Sequence, residues 1–389
     1  MLTQLPPLSL YIHFPWCIQK CPYCDFNSHS IKQDIPESQY IEILLQDLEN
    51  DLPLVWGRKV NTIFMGGGTP SLFSPEAMET LLAGIRARIP LSPNAEITME
   101  ANPGTVENER LAGFRETGIN RLSLGIQSFN DQHLKRLGRI HDSAIAINAI
   151  EAAKQAGFDN FNLDLMFGLP NQTIKQAVDD VKTALSFSPT HISYYQLTLE
   201  PNTEFHHNPP PLPGDEQTWE IYNEGKRLLF ENSFQQYEVS AYSQEKHYSR
   251  HNKNYWLFGD YLGIGAGAHA KITDGNQQSI TRYWKHRHPK DYLSLDNASK
   301  IAGKRKLEIN ELVFEFLLNA LRLTEGFQLN TFQTRTGLKA DELQKNLEHA
   351  VSQGLVIWNN ESNQIKTSEK GQLFLNNILE NLLPENLLR

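Results

Sequence analysis

Positive charge, cysteine and long apolar runs are all scarce in this 389-residue sequence. Its 36 Lys and Arg stand against 45 Asp and Glu, a formal balance of −9. Phosphate backbones are held by clustered cations, so nucleic acid is not expected as a partner. No stretch approaches the roughly 18 uninterrupted apolar residues of a membrane helix, so none is expected to cross a bilayer. The opening MLTQLPPLSLYIHFPWC lacks a basic region and a small-residue cleavage site, so a secretion signal is not expected and a cytoplasmic location is. There are three cysteines, all between positions 17 and 24. An odd, clustered set in a reducing compartment points to metal ligation or redox chemistry and away from a disulfide framework. Disorder is excluded by composition, with 40% hydrophobic and 21% charged residues. The length suits two domains, or one large α/β barrel with an appendage.

Six short β-branched or aromatic runs read as buried strands: SLYIHFP (9–15), NTIFMGG (61–67), AEITMEA (95–101), RLSLGIQ (121–127), FNLDLMFGL (161–169) and HISYYQLTL (191–199). Stretches with helical spacing lie between them, several ending in Gly, as in QYIEILLQDLEND (39–51) and SAIAINAIEAAKQAG (143–157). Strand alternating with helix implies right-handed crossovers and a parallel sheet. Six repeats followed by a break in rhythm predict an α/β fold with a partial (β/α)6 TIM-like barrel, its site on the loops after the strand C-termini. The Pro-rich HHNPPPLPGDEQ (206–217) reads as a surface connection. Beyond it lie a helix (218–233), a strand at YEVSAY (237–242) and a Gly-rich bend, LGIGAGAHA (262–270). From about Arg305 the order becomes helix, helix, helix, strand pair, helix, like a winged helix. Residues 303–389 carry ten basic and eleven acidic side chains, so a lid or packing role is favoured over DNA binding. The predicted divisions are 1–235 for the barrel, 236–304 for a connecting segment and 305–389 for the C-terminal winged-helix-like domain.

Three features carry chemistry. Cys17, Cys21 and Cys24 form C-x3-C-x2-C directly after the first strand, where Pro22 prevents a continuous helix. Three thiolates suit a zinc site completed by His13 or His29, or an iron–sulfur cluster with one iron lacking a protein ligand. The run Gly66 to Pro70, GGGTP, follows the second strand, and consecutive glycines let backbone approach a ligand and expose amides; a tight turn explains the run equally well. Glu100, Gln127 and Asp164 place polar groups at or near the ends of otherwise apolar strands. There they face a ligand or form a structural network, because burying them unpaired costs several kcal/mol. Their common face favours a ligand.

The stretch YIHFPWCIQKCPYCDF with GGGTP, MEANPGT (99–105), LGIQSF, LKRLGRIH (134–141) and FNLDLMFGLP resembles the radical S-adenosylmethionine superfamily. The similarity is to its branch of oxygen-independent coproporphyrinogen III oxidases and HemW-type haem chaperones. It runs over most of the chain. The resemblance implies that Cys17, Cys21 and Cys24 hold a four-iron, four-sulfur (4Fe-4S) cluster whose remaining iron is chelated by S-adenosylmethionine. Reductive cleavage would give methionine and a 5′-deoxyadenosyl radical. It also implies that Tyr11, Gly67, Gly68, Thr69, Glu100, Gln127, Arg139 and Asp164 line cofactor sites, with Tyr23 against the nucleoside.

Two departures separate the branches. The oxidases carry a fourth cysteine two residues beyond the third, where this sequence has Phe26. Instead it contains HNKNYW, His251 to Trp256, similar to the motif associated with haem binding in the chaperones. His251 would be the axial ligand, with Tyr255 and Trp256 near the macrocycle; His269 in GAGAHA lies close in sequence and either borders the same cleft or packs, with packing the favoured reading. The resemblance therefore implies a haem chaperone that binds haem as cargo and delivers it to haem-requiring acceptor proteins, membrane-bound ones included. An electron donor such as flavodoxin or ferredoxin and a monomer–dimer equilibrium are also implied. The alternative is oxidative decarboxylation of coproporphyrinogen III; a zinc-stabilised nucleic-acid module is a third reading.

Overall fold

The apolar runs become strands close to where their residues cluster. β1 (Leu8–Phe14), β2 (Val60–Gly67), β3 (Leu91–Ala101), β4 (Arg121–Gln127), β5 (Phe161–Phe167) and β6 (His191–Gln196) pair in parallel, each beside the next. The computed structural model describes residue 2 and residues 4–105, 108–296 and 300–384; residues 385–389 of the expected C-terminal domain lie outside these. Leu8, Leu10, Ile12 and Phe14 are almost wholly buried in β1, as a parallel strand covered on both faces requires. The connecting helices supply that cover. α1 (Glu37–Asp51) turns Tyr40, Ile41, Leu44 and Leu48 inward at helical spacing. α2 (Pro75–Arg88) starts at Ser74, whose side chain accepts from the Ala77 amide. α3 (Asn108–Glu116) and α4 (Ser143–Gln155) follow, and α5 (Ile174–Ser186) opens with a Thr173/Gln176 capping box. α6 (Asp215–Glu231) completes the set.

The six parallel strands do not close on themselves. The outer neighbour of β6 is an antiparallel pair, β7 (Gln235–Glu238) and β8 (Ala241–Ser243), so YEVSAY is two strands and not one. On the other side of β1 lies β9 (Asp260–Ile264), parallel to it, followed by antiparallel β10 (His269–Asp274), β11 (Ser279–Lys285) and β12 (Ile301–Lys306). Residues 236–304, expected as a connecting segment, thus extend the central sheet to twelve strands. The sequence HNKNYW forms a short helix, α7 (Arg250–Trp256), begun by the Ser249 side chain.

The C-terminal region has its own apolar core around Phe316, Leu317, Phe332, Leu343 and Leu347. α8 (Ile309–Ala320), α9 (Leu329–Thr336) and α10 (Ala340–Ser352) accompany a small sheet of β13 (Phe327–Gln328), β14 (Val356–Asn359) and β15 (Gln364–Thr367). The three expected helices and the strand pair are present in order, with β13 added between the first two helices and two short helices, Glu369–Leu373 and Leu375–Glu380, where one was expected.

Candidate functional site

The cysteine loop leaves β1 at Phe14 and is pinned at both ends. Trp16 and Cys17 pair in parallel with His29 and Ser30, and the Cys24 amide donates to the Cys21 carbonyl at 3.1 Å. Each thiol has a separate polar neighbour. Thr69 Oγ1 lies 3.5 Å from Cys17 Sγ, Arg139 Nη1 3.7 Å from Cys21 Sγ, and Ser28 Oγ 3.8 Å from Cys24 Sγ. All three thiols border a cavity of about 160 Å³. Gly67, Gly68 and Thr69 form one wall, with Tyr23, Glu100, Gln127, Arg139 and Asp164 around the rest. Eleven of the residues expected from the sequence therefore meet at one place.

The glycine run has a packing role that the sequence did not reveal. The amides of Gly68 and Thr69 donate to the carbonyls of Phe14 and Trp16 at 2.6 and 2.7 Å, and the Gly67 amide donates to Glu100 Oε2 at 3.2 Å. These amides are committed within the protein, so the expectation of ligand-facing donors is not met there. Gly67 has φ +111°, and a Cβ at Gly66 would sit 2.8 Å from Glu100 Oε2. The run lets β2 lie directly against the cysteine loop.

Around the cavity, charges are only partly matched. Burial raises the Glu100 carboxyl to about 7, and nearby Asp164 adds to the shift; the Gly67 amide opposes it. Asp164 accepts from Asn162 Nδ2 at 2.8 Å and Ser123 Oγ at 3.4 Å, yet burial still raises it. Arg139 donates to the Gly125 carbonyl at 2.7 Å, while its buried Nε has no partner among the described residues. Gln127 holds φ +70° and accepts from the Tyr195 hydroxyl at 2.6 Å. A left-handed, non-glycine residue at a strand end is stored strain, and such strain concentrates at ligand sites. The cavity thus offers an anionic group and a cationic group to one small ligand carrying both charges.

A second, larger cavity of about 520 Å³ shares Phe26, Gly67 and Glu100 with the first. Tyr11 borders this one, its hydroxyl bonded to His13 Nδ1 at 2.9 Å.

Comparison with known proteins agrees with this architecture. Residues 11–184 match the radical SAM superfamily and residues 307–374 the HemN C-terminal domain. The chain is 49% identical over 386 residues to a protein of Escherichia coli K12 named heme chaperone HemW, covering 99% of this chain and 100% of that protein. It is 50% identical over 388 residues to the Haemophilus influenzae protein of the same name, again covering 99% and 100%. The chain belongs to the HemW family of radical SAM proteins. Its fold matches the solved structure of the E. coli coproporphyrinogen III oxidase HemN with a TM-score of 0.81 at 23% identity, over 97% of this chain and 90% of that one.

In this HemW-family chain, His251 stands apart from the cavities. It is wholly buried. Thr62 Oγ1 lies 2.9 Å from Nδ1 and the Tyr255 hydroxyl 2.9 Å from Nε2, while the His251 amide donates to Glu96. Burial lowers its pKa to about 3, so the ring is neutral, with both nitrogens engaged by side chains. Positions 251 and 255 share a helical face, and of the two Tyr255 is the one that borders the larger cavity. Trp256 lies under the Arg322 guanidinium, 4.4 Å from the ring centroid, and borders neither cavity. His269, for which the sequence favours packing over bordering a cleft, lines the larger cavity with Asn27, Tyr261 and Arg287. Tyr261 and His269 come from β9 and β10, strands that the sequence reading did not find, whereas Asn27 belongs to the cysteine loop and Arg287 follows β11.

Proposed function

We propose that this protein is a haem chaperone that binds haem and delivers it to haem-requiring acceptor proteins, with a 4Fe-4S cluster and S-adenosylmethionine in the barrel. The reading is carried by 49% and 50% identity, end to end, with proteins named as haem chaperones. The residues present fit both cofactors. Cys17, Cys21 and Cys24 border one cavity, each thiol beside a different polar neighbour, which suits a cluster whose thiolates each meet a different iron. Cys17, Cys21 and Cys24 would hold that cluster. The partly unmatched Arg139 guanidinium suits the S-adenosylmethionine carboxylate, and the Glu100 carboxyl suits its ammonium or sulfonium.

When bound, the cluster supplies single electrons to the sulfonium. Arg139, beside Cys21, opposes the negative charge of the thiolate, and Thr69 and Ser28 offer hydroxyls to the other two sulfurs. Tyr195 fixes the amide of Gln127 toward the same cavity. Phe26, 61% exposed at the junction of the two cavities, has no thiol or proton to offer there, which counts against oxidase chemistry. The reading includes a cytoplasmic location, an electron donor such as flavodoxin or ferredoxin, a monomer–dimer equilibrium, and functional divisions at 1–235, 236–304 and 305–389.

Anaerobic reconstitution followed by haem titration tests it. The expected result is a broad iron–sulfur absorbance and a saturable Soret band, whose binding curve changes when S-adenosylmethionine is added. A titration without saturation overturns the reading, as does conversion of coproporphyrinogen III to protoporphyrinogen IX by the dithionite-reduced protein.

A further inference from the structure

Three buried polar side chains, Asn162, His191 and Tyr237, border neither cavity yet form a line that reaches one of them. Asn162 on β5 and His191 on β6 are direct neighbours in register, with His191 Nδ1 2.6 Å from Asn162 Oδ1. His191 Nε2 lies 2.8 Å from the Tyr237 hydroxyl on β7. One end of the line is Asp164 at the wall of the cysteine cavity, whose Oδ1 lies 2.8 Å from Asn162 Nδ2. The other end is the amide of Ser249, 3.3 Å from the Tyr237 oxygen. Ser249 caps α7, where its Oγ accepts from the Asn252 amide at 3.3 Å.

Chemistry fixes the direction of every bond. An Asp164 carboxylate can only accept, so Asn162 turns Nδ2 toward it and Oδ1 toward His191. Burial, with the Arg121 charge adding, holds His191 well below the ordinary histidine pKa, so the ring is neutral. Its one proton therefore sits on Nδ1, facing Asn162 Oδ1, and Nε2 accepts from the Tyr237 hydroxyl. The Tyr237 oxygen is left to accept from the Ser249 amide. Four donors in succession thus point from α7 to Asp164. Bonds in such a series strengthen one another, and the final acceptor sets their strength. That acceptor has two states. Burial raises the Asp164 pKa, favouring the weakly accepting acid, whereas a cation in the cavity favours the strongly accepting carboxylate.

We propose that Asn162, His191 and Tyr237 are positioning residues that carry the occupation of the cysteine cavity by a cationic ligand to α7, tightening its first turn. What the helix serves rests on the haem-chaperone reading: α7 carries HNKNYW, so a tightened helix links S-adenosylmethionine to haem. The helix itself does not depend on this line. Glu96 on β3 separately accepts from the Arg250 and His251 amides at 3.1 and 3.0 Å, so Glu96 anchors α7 and the line adjusts it.

Hydrogen exchange and haem titration of the anaerobically reconstituted full chain, each with and without S-adenosylmethionine, test this. In the wild type S-adenosylmethionine should slow amide exchange across residues 249–256 and tighten haem by about fivefold or more; haem should tighten S-adenosylmethionine by the same factor, as linkage requires. Tyr237→Phe, which removes only the hydroxyl, should still bind S-adenosylmethionine but lose both effects. His191→Leu should do the same. Glu96→Gln, which loosens α7 without touching the line, should lower the melting temperature and keep both effects. A Tyr237→Phe protein that retains the wild-type exchange response overturns the proposal. So does a Glu96→Gln protein that loses it, since the response would then report only the general stability of the helix. The chaperone reading fails separately: a protein that binds no haem overturns it, while the exchange response across 249–256 still decides the role of the line.

Discussion

At Glu100 one carboxyl has a raised pKa, and the sign of its effect on stability is fixed by that direction. Its ordinary value of 4.5 is raised to about 7 by burial and by Asp164. Below 4.5 the group is protonated whether the chain is folded or not; between 4.5 and 7 the folded chain holds a proton that the unfolded chain has released. Stability therefore falls as pH rises through that window and stays lower above it. Tyr11, His13, Asp164 and Arg139 border the same cavities, and none of them forms an ion pair with Glu100. Glu100→Gln should thus stabilise the cofactor-free protein at pH 8 by on the order of 2 kcal/mol and leave it unchanged near pH 4. Urea denaturation at the two pH values measures this. The same substitution should weaken S-adenosylmethionine binding, since the cation that Glu100 would face loses its partner. Glu100, Gln127 and Asp164 were legible because polar groups are rare in buried strands. For His251 the motif named a residue type, and the burial of its ring between Thr62 and Tyr255 was not legible, because it is set by packing across the sheet.

Elements explain where the sequence was harder to read. β9 passes as a bend because it holds Gly263 and runs into Gly265, and glycine argues against strand on propensity. Each is required by a close approach instead: a Cβ at Gly263 would strike the His269 carbonyl and one at Gly265 the His13 carbonyl. The GGGTP run was found, but its packing against the cysteine loop was not, since sequence carries no record of which backbone lies opposite. Gly68 tests that packing. A Cβ there would meet the Trp16 carbonyl and lie 2.8 Å from the Phe14 carbonyl, both backbone and unable to swing aside. Gly68→Ala should destabilise the protein by about 2 kcal/mol or more through forced displacement of the loop. It should also lower the iron and sulfide content after reconstitution, because Cys17 lies on the displaced segment. Equal iron loading in the variant would contradict this account of the loop.

Across the whole molecule, the six barrel strands were readable from hydrophobic runs, while their continuation into residues 236–304 was not, because long-range pairing decides it. What holds the added strands to the barrel is a buried charge network. Lys285 at the end of β11 reaches Asp47 Oδ1 at 2.6 Å and Asp51 Oδ2 at 3.0 Å on α1. The hydroxyls of Tyr292 and Tyr283 donate to the same carboxylates at 2.6 and 2.9 Å, and the Gly265 amide lies 3.3 Å from Asp47 Oδ2. The network therefore joins the first barrel helix, the last strands and the bend that presents His269. Burying three charges gains little over an apolar replacement, but removing only the cation strands two carboxylates in the interior. Lys285→Met should cost about 3 to 5 kcal/mol. In an Asp47→Asn, Asp51→Asn background the same substitution should cost much less, since no uncompensated charge remains. Denaturation midpoints of the four proteins measure the coupling, and additive losses would show that these side chains do not act as one unit. If the coupling holds, strands that the sequence presents as a linker stand or fall with the barrel.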